Sequence, residues 1–295
     1  MKLATVIVND QEKAAVATEG GLVLIELITI IERKRWKTDL LGMIEDGHID
    51  DFIKWYKDGG TERLRSFETI PLKEAKFAPL YRRPRKIWGV GINYLPERPN
   101  QSEIYCDPVS FMKPDTSIIG TEDAIRIPKG STNTTAEAEL AIIIGKTCSN
   151  IEEDEACDYV LGYTAALDMT EADIHAENER YLTRAKSFDT FFSFGPYLMI
   201  DECDDVLTLE VSTVLNGTVA HQNTVANMRY NPSYLVAFHS KVMTLLPGDI
   251  ILTGTPGPVV IRDGDVVESR ISGFDPLVNE VPGTARSLLN HLFGS

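Results

Sequence analysis

Thr134-Thr135-Ala136-Glu137-Ala138-Glu139-Leu140-Ala141-Ile142-Ile143-Ile144-Gly145 sets two acids at the head of one of the most apolar runs in the chain. Read as a strand, it points residues two apart to the same face, so Glu137 and Glu139 lie side by side, roughly 7 Å apart. Two neighbouring carboxylates at the mouth of a buried strand repel. Keeping both ionised there calls for a cation between them, and an all-oxygen set suits a hard ion such as Mg2+, Mn2+ or Ca2+. The plainer reading is a strand end with two solvated acids. This segment alone leaves both open.

Upstream, from Lys2 to Ile28, short apolar runs are broken by turn residues: Ala4 to Val8, Asn9-Asp10, Ala14 to Ala17, Glu19-Gly20-Gly21, Leu22 to Leu27. That pattern predicts a small antiparallel sheet. Between Thr38 and Leu64 the period becomes helical, with Leu40, Leu41, Met43 and Ile44, then Ile49, Phe52, Ile53 and Tyr56, separated by Asp46-Gly47-His48. The linker Ala78-Pro79-Leu80-Tyr81-Arg82-Arg83-Pro84-Arg85 then suggests a boundary. The expected organisation is a small N-terminal α+β unit over residues 1–80 and a strand-dominated unit over 81–295.

The second unit opens on Lys86-Ile87-Trp88-Gly89-Val90-Gly91-Ile92-Asn93-Tyr94. Its Gly-x-Gly lacks the third glycine and the helix of a dinucleotide fingerprint, because Leu95-Pro96-Glu97-Arg98-Pro99-Asn100 cannot start a regular helix. The loop through Gln101-Ser102-Glu103 has the composition of an active-site lid. Val109 to Met112 reads as a short strand running into Lys113, a surface lysine or a ligand contact. Downstream, Asp158 to Asp168 reads as a buried strand ending in an acid, which could equally cap the next helix. Thr170 to Thr183 is polar and helix-prone and carries His175. Leu207 to Leu215 and Thr218 to His221 flank an Asn216-Gly217 hairpin turn. Asn231-Pro232 starts a helix expected through Leu246, followed by strands at Ile250–Thr253 and Val266–Ile271.

A formal net charge of −15 and a pI near 4.8 disfavour nucleic acid and anionic membranes as partners. Cys106, Cys148, Cys157 and Cys203 form no CxxC pair, which suggests neither a zinc site nor a disulfide framework and fits a reducing compartment. The first apolar run is too short for a signal-peptide core and no run reaches membrane-spanning length, so a cytoplasmic protein is expected.

Several stretches, in this order, resemble the fumarylacetoacetate hydrolase family in its shorter two-part form, which includes acylpyruvate hydrolases and oxaloacetate decarboxylases. They are Gly91-Ile92-Asn93-Tyr94, Phe111-Met112-Lys113-Pro114, Glu137-Ala138-Glu139-Leu140 with Ile144-Gly145-Lys146, Gly162-Tyr163-Thr164 with Asp168, and Lys186-Ser187-Phe188-Asp189 with Gly195-Pro196. Pro247-Gly248-Asp249, Thr253-Gly254-Thr255-Pro256, Gly264-Asp265-Val266-Val267-Glu268 and Leu277-Val278-Asn279 complete the set. The resemblance implies a mixed β fold with some α, a β-sandwich roll preceded by a small α+β domain and commonly assembled as a homodimer. It implies Glu137, Glu139 and Asp168 as ligands of Mg2+ or Mn2+, with Ca2+ a further option. It makes Lys186 the active-site lysine, and Lys113, Gly254 and Thr255 substrate contacts. The expected substrate is a small 2-oxo acid or 1,3-dicarbonyl, cleaved at a C–C bond through a metal-bound enolate, by hydrolysis or decarboxylation.

The chain also departs from the family's pattern. Hydrolytic members carry a histidine four residues after the Asn of Asn-Tyr, paired with a glutamate; here that position is Glu97, with Asn100 three residues on. The family's arginine four residues after the metal-binding Asp is Ala172 here, and the glutamine three further on is His175. Base catalysis therefore falls to Glu97, to His175 or, with the loop shifted, to Glu103. The missing histidine gives weight to an isomerase or dehydratase using the same enolate, or to a non-catalytic member acting as a binding subunit.

Overall fold

The computed structural model describes residues 1–99, 106–200 and 206–283. Asn100, Glu103 and Cys203, considered above, lie outside the described residues.

The chain opens with three antiparallel strands, β1 (Lys2–Val8), β2 (Gln11–Thr18) and β3 (Gly21–Leu24). The run Leu22 to Leu27, expected as one strand, divides. After Leu24 it becomes helix α1 (Ile25–Ile31), which buries Ile25 and Ile28, three residues apart on one face. The helical stretch predicted next is α2 (Leu40–Glu45), N-capped by the Asp39 side chain accepting from the Gly42 amide, followed by α3 (His48–Trp55) and α4 (Thr61–Leu64). Trp36 meets Phe52 and Trp55 edge-on and those two rings lie tilted against each other, with ring centroids 5.3–5.9 Å apart, which knits this layer together.

The remaining strands are β4 (Ile87–Gly91), β5 (Val109–Met112), β6 (Ile118–Ile119), β7 (Thr134–Ile144), β8 (Val160–Glu171), β9 (Phe192–Ile200), β10 (Glu210–Leu215), β11 (Thr218–Thr224), β12 (Ile250–Leu252), β13 (Val259–Val260), β14 (Val266–Ile271) and β15 (Leu277–Glu280). Helices α5 (Ala172–Glu177) and α6 (Leu182–Lys186) follow β8, and α7 (Pro232–Val242) follows β11. The large sheet runs β3-β2-β1-β9-β8-β7-β12-β4-β5, with β13 on β7 and β6 on β9; a second sheet runs β11-β10-β14-β15. Lys2 to Ala4 of β1 pair with Tyr197 to Met199 of β9, so the N-terminal strands continue the large sheet.

β7 explains the apolar run. On one face Ala136, Ala138, Leu140, Ile142 and Ile144 join the core shared with the second sheet, including Val211, Val267 and Leu277. On the other, Ala141 and Ile143 join the core under α1–α3, with Ile28, Met43 and Phe52. A strand buried on both faces has no polar alternation to display. Glu137 and Glu139 share the parity of Ala141 and Ile143, so they continue this second face beyond the end of its apolar core.

The Asn-Gly hairpin forms as read, with Asn216 and Gly217 both at positive φ, 51° and 78°. Asn231 caps α7 through the Tyr234 amide, and Pro232 is its first residue. The helix stops at Val242 rather than Leu246 because Leu245 exchanges both backbone bonds with Cys148, and that pairing draws the chain out of the helix. Gly89 follows a packing demand: a β-carbon there would lie 2.2 Å from the Phe111 ring. Cys157 is disulfide-bonded, which its spacing did not announce, while Cys106 and Cys148 are free.

Candidate active site

β8 does not end at Asp168, and Asp168 caps no helix. The strand continues to Glu171, paired with β7 out to Thr134, and this register sets Asp168 directly opposite Glu137. Directly opposed residues bring their β-carbons to about 4.5–5.5 Å. Glu137, Glu139 and Asp168 thus gather on one face of two adjacent strands, with Asp168 and Glu139 almost fully buried, 0 % and 1 % exposed.

Two ammonium groups enter this cluster. Lys186, the last residue of α6, donates to Glu137 Oε2 at 2.9 Å and to Asp168 Oδ2. Lys113, just past β5, donates to Asp168 Oδ1 at 2.6 Å, to the Met169 carbonyl at 3.3 Å and to the Lys186 carbonyl. Lys113 is therefore no surface lysine; its side chain is fully buried. It locks the end of α6 and the Asp168 carboxylate together and does not line the cavity described below, whereas the resemblance implies it as a substrate contact. Burial lowers its pKa, with Asp168 opposing the shift. Burial alone would also lower Lys186, but Asp168 and Glu137 more than offset it and hold that ammonium firmly charged.

Glu139 accepts a 2.6 Å hydrogen bond from the Gly254 amide. Burial, reinforced by the charges of Asp168 and Glu137, pushes its carboxyl well above the usual carboxylate range. Gly254, at φ +98°, turns its N–H toward Glu139 and so orients a carboxylate of the protein itself. The Thr255 hydroxyl lies within its own turn, accepting from the Gly257 amide at 3.2 Å and donating to the Gly257 carbonyl at 3.3 Å. Asn93 braces this loop from beneath, donating to the carbonyls of Tyr230 and Thr253 at 3.0 and 2.7 Å and accepting from the Tyr230 amide at 2.9 Å.

A cavity of about 460 Å3 opens over the cluster, lined by Glu137, Lys186 and His175 together with Ile92, Val109, Phe111, Thr170, Glu179, Leu182 and Pro258. His175, on α5, is half-buried, whereas Glu97 lies exposed on the loop after β4 and does not line the cavity. Three contributors were not singled out from the sequence. Thr170 donates to Glu137 Oε2 at 3.2 Å; two residues after Asp168, it carried the alternation signal that would have found it. The Phe111 ring carries the Lys186 ammonium 4.6 Å from its centroid, and Glu179 sits between α5 and α6 with no periodic signal at all. Beside the cluster, the buried Tyr94 hydroxyl has no hydrogen-bond partner among the described residues, and burial with the nearby Glu139 charge raises its pKa.

Among the described residues no three His, Cys, Asp or Glu side chains are drawn into metal-holding geometry; lysine ammoniums bind Asp168 and Glu137, and the Gly254 amide binds Glu139. The donor chemistry nonetheless fits a hard divalent cation. Three carboxylates converge on one face, and one of them is buried where the other two disfavour its ionised form.

An acid-and-lysine centre on the open end of a mixed β-sheet, beneath a cavity with an apolar wall, has the make-up of a small-molecule binding site. The family model described as fumarylacetoacetate (FAA) hydrolase C-terminal matches residues 86–282. An uncharacterized protein of Archaeoglobus fulgidus is 42 % identical over 212 residues, 71 % of this chain and 83 % of that protein. Maleylpyruvate hydrolase from Sphingobium sp. SYK-6, solved in complex with manganese(II) and pyruvate, aligns with a TM-score of 0.78 at 26 % identity, covering 96 % of this chain and 99 % of the other. 5-Carboxymethyl-2-hydroxymuconate delta-isomerase from Mycobacterium smegmatis aligns with a TM-score of 0.74 at 27 % identity, covering 96 % and 100 %. The chain belongs to the fumarylacetoacetate hydrolase family.

Proposed function

We propose that this protein is a divalent-metal-dependent enzyme that acts on a small 2-oxo acid or 1,3-dicarbonyl and breaks a C–C bond, by hydrolysis or decarboxylation. The observation that carries the reading is the convergence of Glu137, Glu139 and Asp168 on one face of β7 and β8 with Lys186, where Glu137 and Lys186 line one cavity and Glu139 and Asp168 lie buried beside them. Held by those carboxylates, Mg2+ or Mn2+ would supply Lewis-acid stabilisation of the negative charge developing on substrate oxygens. Lys186 adds a fixed positive charge at the same floor, and Lys113 holds Asp168 in place from behind. Phe111, Leu182 and Pro258 keep the cavity wall apolar, which strengthens every charge interaction inside it. His175 is the imidazole on the wall and serves as the base. Exposed Glu97 does not.

Isomerisation is the second reading, favoured by one observation: His175 and Glu179 both line the cavity, so two titratable groups could pass a proton between carbons of one bound molecule. The family resemblance further supports a homodimer, to be checked by light scattering on the purified chain, and a cytoplasmic location; no helix of the described residues is long and apolar enough to cross a membrane.

The test is a product-resolved screen of acylpyruvates, oxaloacetate and related 3-oxo acids with Mg2+ or Mn2+, separating CO2, hydrolytic fragments and isomers. Fragments or CO2 support the first reading, and isomers alone support the second. Metal binding without turnover of any of them would make the chain a binding subunit and defeat both.

A further inference from the structure

We infer that the cavity selects an oxo acid whose far end is uncharged and apolar, and that Glu179 and Ile92 set this preference. The inference rests on the reading of the carboxylate centre as a 2-oxo-acid site.

The wall charges point this way first. Lys186 is the lone ammonium on the wall and is already bound to Glu137 and Asp168, and no arginine lines the cavity among the described residues. The remaining titratable groups on the wall are the His175 imidazole, taken above as the base and so neutral when substrate binds, and two acids, Glu137 and Glu179. A second carboxylate at the far end of a substrate would lose hydration with no cation to meet it and would face Glu179.

Ile92 is the second, independent observation. It stands immediately after β4 with φ at +56°, a conformation that disfavours β-branched side chains, and it is 75 % exposed while lining the cavity. Neither core burial nor local geometry accounts for an isoleucine there. A bound apolar tail does, by covering Ile92 together with Val109, which is 45 % exposed on the neighbouring strand.

Calorimetric titration of the full chain loaded with Mn2+, using pyruvate, 2-oxooctanoate and 2-oxooctanedioate, tests this; neither eight-carbon acid has the second carbonyl needed for C–C cleavage. The expected result is measurable pyruvate binding and a Kd for 2-oxooctanoate at least ~10-fold below that of the dianion. Glu179→Arg should shrink that ratio to less than about 3-fold. Ile92→Asn, which suits the left-handed backbone, should weaken 2-oxooctanoate and leave pyruvate unchanged. Equal affinities, or tighter binding of the dianion, overturn the inference. So does pyruvate binding with neither longer acid bound, which leaves the 2-oxo-acid reading standing. If pyruvate also fails to bind, that underlying reading falls, and the inference with it.

Discussion

At the scale of single residues, His175 and Glu97 are the sharpest contrast, since both were candidates for the base and only His175 lines the cavity. His175→Ala is expected to lower kcat by about 10²–10⁴-fold, the usual span for a general base, with Glu97→Gln within about 2-fold of the parent on the same substrate. Steady-state kinetics on whichever substrate the screen identifies decides it. Comparable losses in both variants would remove His175 from the role. His239 gives a pH prediction away from the site. Its ring is buried against Trp88, with Nδ1 2.7 Å from the Leu235 carbonyl and Nε2 3.0 Å from Ser110 Oγ, and burial lowers its pKa. A histidine depressed in the folded state favours folding above its unfolded pKa and loses that contribution as pH falls through the folded one. Stability should therefore decline below about pH 6.5, and His239→Gln, compared in urea melts at each pH, should flatten that decline.

At the scale of elements, the β7–β8 pair carries the site, and its legibility was uneven. Glu137 and Glu139 could be read directly because strand period alone places them on one face. Asp168 is legible only through the resemblance, and the sequence pattern ends its strand three residues too early. Nothing local distinguishes Asp168-Met169-Thr170-Glu171 as strand from a helix entrance, and pairing with Thr134–Glu137 decides the matter. The same tertiary override, the Leu245–Cys148 pairing, ends α7 at Val242. Lys113 illustrates the limit most clearly, because a lysine after a short strand looks solvated until the fold brings α6 and β8 against it. The turn after β12 is equally invisible in one dimension. A β-carbon on Gly254 would sit 2.8 Å from Asn93 Cβ and 3.2 Å from the Val90 carbonyl oxygen, at a positive φ. Gly254→Ala should thus cost about 2–4 kcal/mol in denaturant melts and weaken metal binding, because the amide that orients Glu139 shifts. An unaltered melting profile would show that the loop yields freely.

At the scale of the whole molecule, the two-part organisation read from the linker stands as our proposal, with units 1–80 and 81–295 that meet along a sheet. The β1–β9 ladder, the Lys2 ammonium donating to Asp275 Oδ2 at 2.7 Å and a core shared by Ile28, Phe52, Phe192 and Phe194 join them. Removing residues 1–80 should expose the β9 edge and that core, and the remainder should aggregate; a soluble, monodisperse fragment would contradict this. The composition disclosed an ordinary globular chain but not this seam, since pairing between residues 2 and 199 leaves no local trace. Finally, the buried lysines have a consequence for the life history of the protein. Lys113 and Lys186 give the carboxylates resident counter-ions encoded in the chain itself. On the proposed metal-dependent reading, maturation would then run in two stages, a polypeptide that first reaches its shape unaided and an ion that is recruited afterwards. Stripping with a chelator should silence turnover while moving the thermal midpoint by less than about 4 °C, roughly 1 kcal/mol for a chain of this size; collapse of the fold on chelation would show that shape and ion arrive together.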